Sequence, residues 1–180
     1  MAETSTVPTE FDPRSIGMMQ DDRQATETET GEIVQFVSFK VGQSEYCVDI
    51  MTVREIKGWT TVTDLPNTPE HVRGVLNLRG VIVPIFDLRC RFGQGLTEAT
   101  PLHVMIIVSV GERIMGLLVD AVSDIITANT EEILPTPSLE KKPEERFLSG
   151  LITVQDRMVA LLKTERLFDI DTMISEMTTD

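Results

Sequence analysis

The chain is poor in the residues from which catalytic and metal sites are built. It holds two histidines and two cysteines among 180 residues. His71 and His103 each stand alone beside prolines and apolar residues. No cysteine or acid lies at metal-ligand spacing from either, so surface or capping roles suit them better than a metal. Cys47 and Cys90 sit in or beside apolar runs and read as small core residues rather than as a disulfide or metal pair. There is no G-x-S-x-G elbow, no G-x-x-x-x-G-K phosphate loop and no H-E-x-x-H pair. Gly93-Gln94-Gly95 fails as a dinucleotide fingerprint, because Glu98 occupies the place of the third glycine. Long hydrophobic runs are missing too. No stretch approaches the ~18 apolar residues that cross a bilayer, and the first thirty residues lack the basic-then-apolar order of a secretory signal. Positive charge is short, with 16 Lys and Arg against 29 Asp and Glu, a net charge of −13. Phosphate binding draws on clustered Lys and Arg, so a nucleic-acid partner is disfavoured. These absences predict a cytoplasmic protein with no cofactor, no membrane insertion and no catalytic machinery.

What is present is a repeat. The segment Gly74 to Phe92, GVLNLRGVIVPIFDLRCRF, returns ungapped as GLITVQDRMVALLKTERLF from Gly150 to Phe168. Gly74, Val83 and Phe92 match Gly150, Val159 and Phe168, and apolar positions stay in step between them. The two copies differ most at the polar centre, where Asn77, Arg79 and Gly80 face Thr153, Gln155 and Asp156. A second pair of blocks precedes them: Val48-Asp49 with Val53, Glu55 and Ile56 resembles Val119-Asp120 with Val122, Asp124 and Ile125. Each follows an apolar run that ends in a glycine turn, at Gly42 and Gly111. The shared order of strand, turn, Val-Asp block and hairpin predicts a duplicated unit.

Residues 1–31 are rich in Thr, Glu, Asp and Gln, and predict a disordered acidic tail. Eight acids against Arg14 and Arg23 give residues 1–32 a charge of −6. Folded structure is expected over 32–170, with a first barrel mainly from 34–92 and a second mainly from 103–163. A C-terminal helix and tail are expected over 164–180, because Leu167, Ile170, Met173, Ile174 and Met177 recur at helical spacing. Short Val-, Ile- and Phe-rich runs predict strands at 33–41, 46–48, 75–78, 81–86, 104–110, 114–119, 151–154 and 158–162. Thr68-Pro69-Glu70 reads as the cap of one helical turn ended by Gly74, and Asn129–Leu134 as its counterpart, capped by Thr130. Residues 135–145 read as an exposed loop. Pro84, inside a strand run, implies an edge or a bulge. The fold class is all-β, with one small barrel per repeat.

Asp49, Glu55, Asp120 and Asp124 are carboxylates, but their repeat-related placement suits turns and caps better than acid-base work. Arg79 is the residue left over. It is either a solvated hairpin tip with a weak surface ion pair or a planar donor set aimed at a partner, and Glu55 is the natural acid to orient it.

Three segments carry a family resemblance: YCVDIMTVREI from Tyr46, NTPEHVRGVLNLRGVIVPIFDLR from Asn67 and GLLVDAVSDI from Gly116. They resemble the CheW chemotaxis coupling proteins, over residues 33–168. That resemblance implies two intertwined five-stranded SH3-like β-barrels with short helical turns. It further implies a non-enzymatic adaptor that bridges the cytoplasmic tip of chemoreceptors to the regulatory domain of the CheA histidine kinase, recruited to membrane-associated receptor arrays. Matched position by position, it places receptor binding on Arg79, Glu55, Val53 and Val104, with Gly74 and Ile125 as neighbours. No kinase-facing residue carries across. The alternatives are a peptide-binding β-barrel module of another signalling pathway and a small carboxylate hydrolase.

Overall fold

The computed structural model describes residues 31–137 and 143–167. The acidic tail, the middle of the 135–145 loop and most of the expected C-terminal helix lie outside these residues. The chain divides at Gly31, and the following concerns the unit that begins at Glu32.

Ten strands carry the fold: β1 (Ile33–Val41), β2 (Ser44–Asp49), β3 (Val53–Gly58), β4 (Val72–Leu78), β5 (Val81–Asp87), β6 (Val104–Val110), β7 (Arg113–Val119), β8 (Ala121–Asn129), β9 (Leu148–Val154) and β10 (Arg157–Leu162). One helical turn follows each terminal hairpin, α1 (Leu88–Arg91) and α2 (Thr164–Leu167). They form two five-stranded sheets, ordered β8-β1-β2-β10-β9 and β3-β6-β7-β5-β4. The all-β expectation holds, and the two five-stranded sheets are intertwined as the resemblance implied: each takes three strands from one repeat and two from the other. The exchange is reciprocal: β3 of the first repeat pairs with β6 of the second, and β8 of the second pairs with β1 of the first.

The repeat read from sequence returns as matched backbone irregularities. Register slips at Arg54 in the β3–β6 ladder and at Ser123 in the β8–β1 ladder, equivalent positions of the two Val-Asp blocks. It slips again at Arg73 opposite β5 and at Ser149 opposite β10, which are equivalent in the hairpin repeat. An extra segment bridges each outer strand, Thr63 to Val75 and Leu134 to Leu151, also equivalent. Bulges bend and twist a strand, so both sheets curl in the same way.

Alternation of apolar residues produces three cores. Phe36, Cys47, Ile126, Ala128, Ile152 and Val159 fill the first sheet's concave side. Val83, Ile85, Met105, Ile107 and Leu118 fill the second's. A larger core, including Val37, Phe39, Tyr46, Val48, Phe86, Phe92, Ile106, Leu117 and Phe147, joins the two sheets. Each such side chain contributes about 1.5–3 kcal/mol when fully buried, and the joining core is the largest of the three.

Two strands, β3 and β8, were not expected. Their burial alternates weakly, because they are edge strands with one face on a crevice. Pro84 is not at an edge, since β5 lies between β7 and β4. It is tolerated because Val75 opposite it gives both backbone groups to Thr63 (2.9 and 2.8 Å), and the ladder to β7 begins only at Ile85. No helix forms at Thr68–Gly74, but the Pro69 carbonyl accepts the Val72 N–H at 2.9 Å in a single turn; Thr68 donates its hydroxyl to the Leu65 carbonyl rather than capping it, and Gly74 lies within β4. The counterpart turn, Thr130–Glu132, is a 3-10 turn whose cap is Asn129, with Glu132 closing a capping box. Residues 143–147 form another 3-10 turn where exposed loop was expected.

Gly74 has φ 136°, and a Cβ there would collide with the Thr63 carbonyl. Gly74→Ala is expected to lower unfolding stability by roughly 2–4 kcal/mol. Gly80→Ala, at φ 85° but in open space, should lose only about 1 kcal/mol. Urea-unfolding midpoints of the two variants check this, and equal losses would contradict it.

Candidate functional site

The reciprocal exchange leaves β3 and β8 beside one another at the edges of different sheets. Between them lies an open groove of about 470 Å³ lined by Val37, Ile50, Val53, Arg54, Glu55, Ile56, Val122, Asp124 and Ile125. The walls are repeat-related: Val53, Glu55 and Ile56 come from one Val-Asp block, and Val122, Asp124 and Ile125 from the other. Val37 supplies a buried residue of the joining core beneath them. Ile56 and Ile125 are 47% and 53% exposed, so the groove offers apolar surface that none of the described residues covers. Contiguous exposed aliphatic surface rimmed by charge is a feature of docking sites.

Arg79 reaches this groove from another part of its sheet. It occupies the β4–β5 hairpin turn with φ 51°, and Asn77 holds the turn by accepting the Gly80 N–H at 2.8 Å. Strands β3 and β4 are opposite edges of one sheet, yet an Arg79 guanidinium nitrogen stands 3.3 Å from a Glu55 carboxylate oxygen. The sheet therefore curls far enough to bring the hairpin tip onto β3. The arginine side chain is 82% exposed, so the pair stabilises the fold by about 0–1 kcal/mol. A left-handed backbone at a non-glycine residue costs about 1–2 kcal/mol, and Asn is the cheaper occupant of such a turn. Stability does not account for an arginine here, and its exposed guanidinium stands beside the apolar groove.

Of the six residues expected at a receptor surface, Val53, Glu55 and Ile125 line the groove, and Arg79 joins it through Glu55. Val104 does not line it. It begins β6 opposite Gly58, while Val53 pairs with Val108, four residues or ~13 Å further along the ladder. Gly74 lies on β4 against Thr63, and its role is backbone packing. Ile50, Arg54, Ile56, Val122 and Asp124 were not singled out for this surface. The doubled Val-Asp blocks were the signal for them, but only the strand exchange turns the two blocks toward one another.

The remaining polar groups serve the scaffold. Asp49 caps the 3-10 turn at Ile50–Thr52, Asp120 accepts the Gly42 N–H at 2.8 Å, and Asp124 accepts the Ile125 N–H at 2.7 Å. Asp87 is fully buried and accepts from the Thr97 hydroxyl and N–H, both at 2.7 Å, with Arg73 at 3.4 Å. This network ties the segment after α1 onto the hairpin that carries Arg79. His103 closes a turn, its Nδ1 accepting the Thr100 N–H at 3.0 Å. His71 is buried rather than on the surface, and stacks on Phe86. Both cysteines are free thiols. Burial, with Glu45 nearby, pushes the Cys47 thiol up to about 12. Burial also raises that of Cys90, helped by the Asp87 and Glu70 carboxylates. Neither is an activated nucleophile. Among the described residues no group of His, Cys, Asp and Glu is placed to hold a metal ion.

A family model described as CheW-like domain matches residues 35–171. The probable chemotaxis protein CheW of Rhizobium etli is 44% identical over 134 residues, 74% of this chain and 86% of that protein. The chemotaxis protein CheW of Klebsiella aerogenes is 40% identical over 145 residues, 79% of this chain and 87% of that one. Among solved structures, the scaffolding protein TtCheW from Thermoanaerobacter tengcongensis matches with a TM-score of 0.70 at 33% identity, covering 77% of this chain and 89% of its own.

Arg79→Asn should leave unfolding stability within about 1 kcal/mol of the parent or raise it, and a loss of several kcal/mol would make Arg79 a structural residue. Alkylation of the folded protein at mildly alkaline pH should label half-buried Cys90 and spare Cys47 until denaturant is added. Mass mapping of the labelled thiol checks the order.

Proposed function

The chain belongs to the CheW-like family of chemotaxis scaffolding proteins, and from that premise we propose that it couples chemoreceptors to the histidine kinase CheA without catalysing a reaction itself. The observation that carries this reading is the Arg79–Glu55 pair, 3.3 Å apart at the margin of the apolar groove. The cytoplasmic tip of a chemoreceptor is helical, and an amphipathic helix docks by laying its apolar stripe into such a groove. Val53, Ile56 and Ile125 receive that stripe. Arg79, steered by Glu55, donates to carbonyl or carboxylate groups along the helix, where its planar fork matches two acceptors at once. Removal of water around the guanidinium on docking strengthens these bonds relative to the free state.

The kinase contact rests on the duplicated architecture. A protein built from two related sheets presents related surfaces at its two ends, and a kinase regulatory domain of the same construction can meet them pseudo-symmetrically. Repetition of such contacts closes a ring. The adaptor acts at membrane-associated receptor arrays through its partners, since among the described residues no helix is long and apolar enough to cross a membrane. Over the acidic tail, negative charge keeps the free adaptor soluble beside anionic lipid.

The test is a ternary mixture of receptor fragment, kinase and adaptor. Kinase activity should rise only when all three are present. Arg79→Asn and Ile125→Asp should weaken receptor pulldown by roughly 30-fold or more, the range of an interface anchor, and remove the activation while leaving the fold intact. Wild-type binding by both folded variants overturns the groove assignment. Binding of receptor with no effect on the kinase would instead mark a peptide-binding module of another pathway.

A further inference from the structure

The groove between β3 and β8 does not end at Ile125. Asp124 and Ile125 also line a recess of about 380 Å³ beyond it, whose other walls include Thr127 on β8 and Thr153, Gln155 and Arg157 of the β9–β10 hairpin. The second repeat builds this recess as the first repeat builds the Arg79 corner. Gln155 is equivalent to Arg79 and Asp124 to Glu55, and the two tip residues share a left-handed backbone, φ 47° and φ 51°. Ala128 lines the recess where the first repeat has Trp59, whose large ring packs on the core of its own sheet, so the second corner stays open. Its strand edges are closed to an added strand. The Ile125 N–H is taken by Asp124 Oδ1 at 2.7 Å, the Asn129 N–H by Glu132 Oε2 at 2.9 Å, and Leu151 pairs with Leu134.

Charge separates the two corners. Beside the first, β3 and its hairpin tip carry Arg54, Lys57 and Arg79 against one acid, Glu55. Beside the second stand Asp124, Glu132 and Asp156 against one cation, Arg157, and that cation is paired with Glu45 at 3.3 Å. Glu132 is engaged in its capping box, Asp49 caps the Met51 N–H before β3, and Arg54 reaches the Ser109 hydroxyl at 3.4 Å. We infer that the groove reads the charge order of its partner: it takes an amphipathic helix with carboxylates where it meets Arg79 and cations where it meets Asp124, Gln155 and Asp156. This rests on the receptor reading above, and adds to it the chemistry of the second contact and the residues that make it. Two walls built from equivalent residues would accept a helix in either direction about equally. Unequal corners set like charges against each other in the reversed pose, which costs affinity and selects one direction. The Gln155 amide can donate or accept without repelling a cation, whereas a guanidinium in its place repels one.

The test measures binding of the receptor-tip fragment to variants of the full chain at low and at physiological salt. Gln155→Arg gives the second corner the residue of the first, at a backbone angle that an arginine already occupies in this chain. It is expected to weaken binding roughly fivefold, with an unchanged melting temperature and a loss that shrinks as salt rises. A helix recognised by its acids alone would bind this variant more tightly. Should the arginine disturb the turn, Asp156→Asn carries the test with roughly threefold loss, since asparagine tolerates the left-handed backbone there. Unchanged or tighter binding by both variants overturns the charge order. Arg79→Asn, measured in parallel, keeps the two readings apart: weakened binding by Arg79→Asn alone sinks the charge order and leaves the groove assignment standing, whereas parental binding by all three variants sinks both.

Discussion

Neither repeat of this protein completes a sheet by itself, and that constraint governs the rest of the molecule. The first strand of each repeat pairs with the third strand of the other, β1 with β8 and β6 with β3. The parallel contacts of β2 with β10 and of β5 with β7 likewise join the repeats or their hairpins across long sequence separations. The halves therefore form their hydrogen-bonded ladders together, and the core running from Val37 to Leu167 is common to both sheets. Ladders of such long sequence separation must overcome loop-closure entropy before they are rewarded by contacts, so folding is expected to be slow and cooperative.

The groove is a by-product of the same exchange. A strand passed to the neighbouring sheet ends at that sheet's edge, and two strands passed in opposite directions end beside each other. Among the described residues no third layer covers their outward side chains, which is why Ile56 and Ile125 stay half exposed while the centre of β1, β6 and β7 is buried. The bulges at Arg54 and Ser123 sit on these strands, where a local twist re-aims the side chains that follow. Curling of the second sheet then carries the Arg79 turn across to Glu55. Three features that look separate, the exchange, the bulges and the ion pair, are successive consequences of one topology.

Much of the framework was legible as pattern. The runs at 33–41, 104–110 and 114–119 are strands because β-branched and aromatic residues fill a face that is almost wholly buried. The hairpin repeat was legible because equivalent bulges and bridges require equivalent residues, glycine at 74 and 150 above all. The strands β3 and β8 were hidden by their position: Val53-Arg54-Glu55-Ile56-Lys57 alternates between a crevice and solvent, and that gives no apolar run. Pro84 misled because the usual rule concerns a missing donor, and here the residue opposite takes its hydrogen bonds elsewhere. His71 misled because the ring that covers it, Phe86, comes from β5 and is not among its neighbours along the chain.

Local chemistry was enough to determine an all-β chain, a duplicated unit and free cysteines, since each depends on side-chain period, turn preference or neighbours along the chain. Which sheet received each third strand was decided only in three dimensions, and with it the groove, the meeting of the two Val-Asp blocks and the approach of Arg79 to Glu55. The physical reason is that a strand's sequence specifies which face it buries, not which edge it pairs with. Edge choice is settled by the joint packing of both repeats into the one core they share.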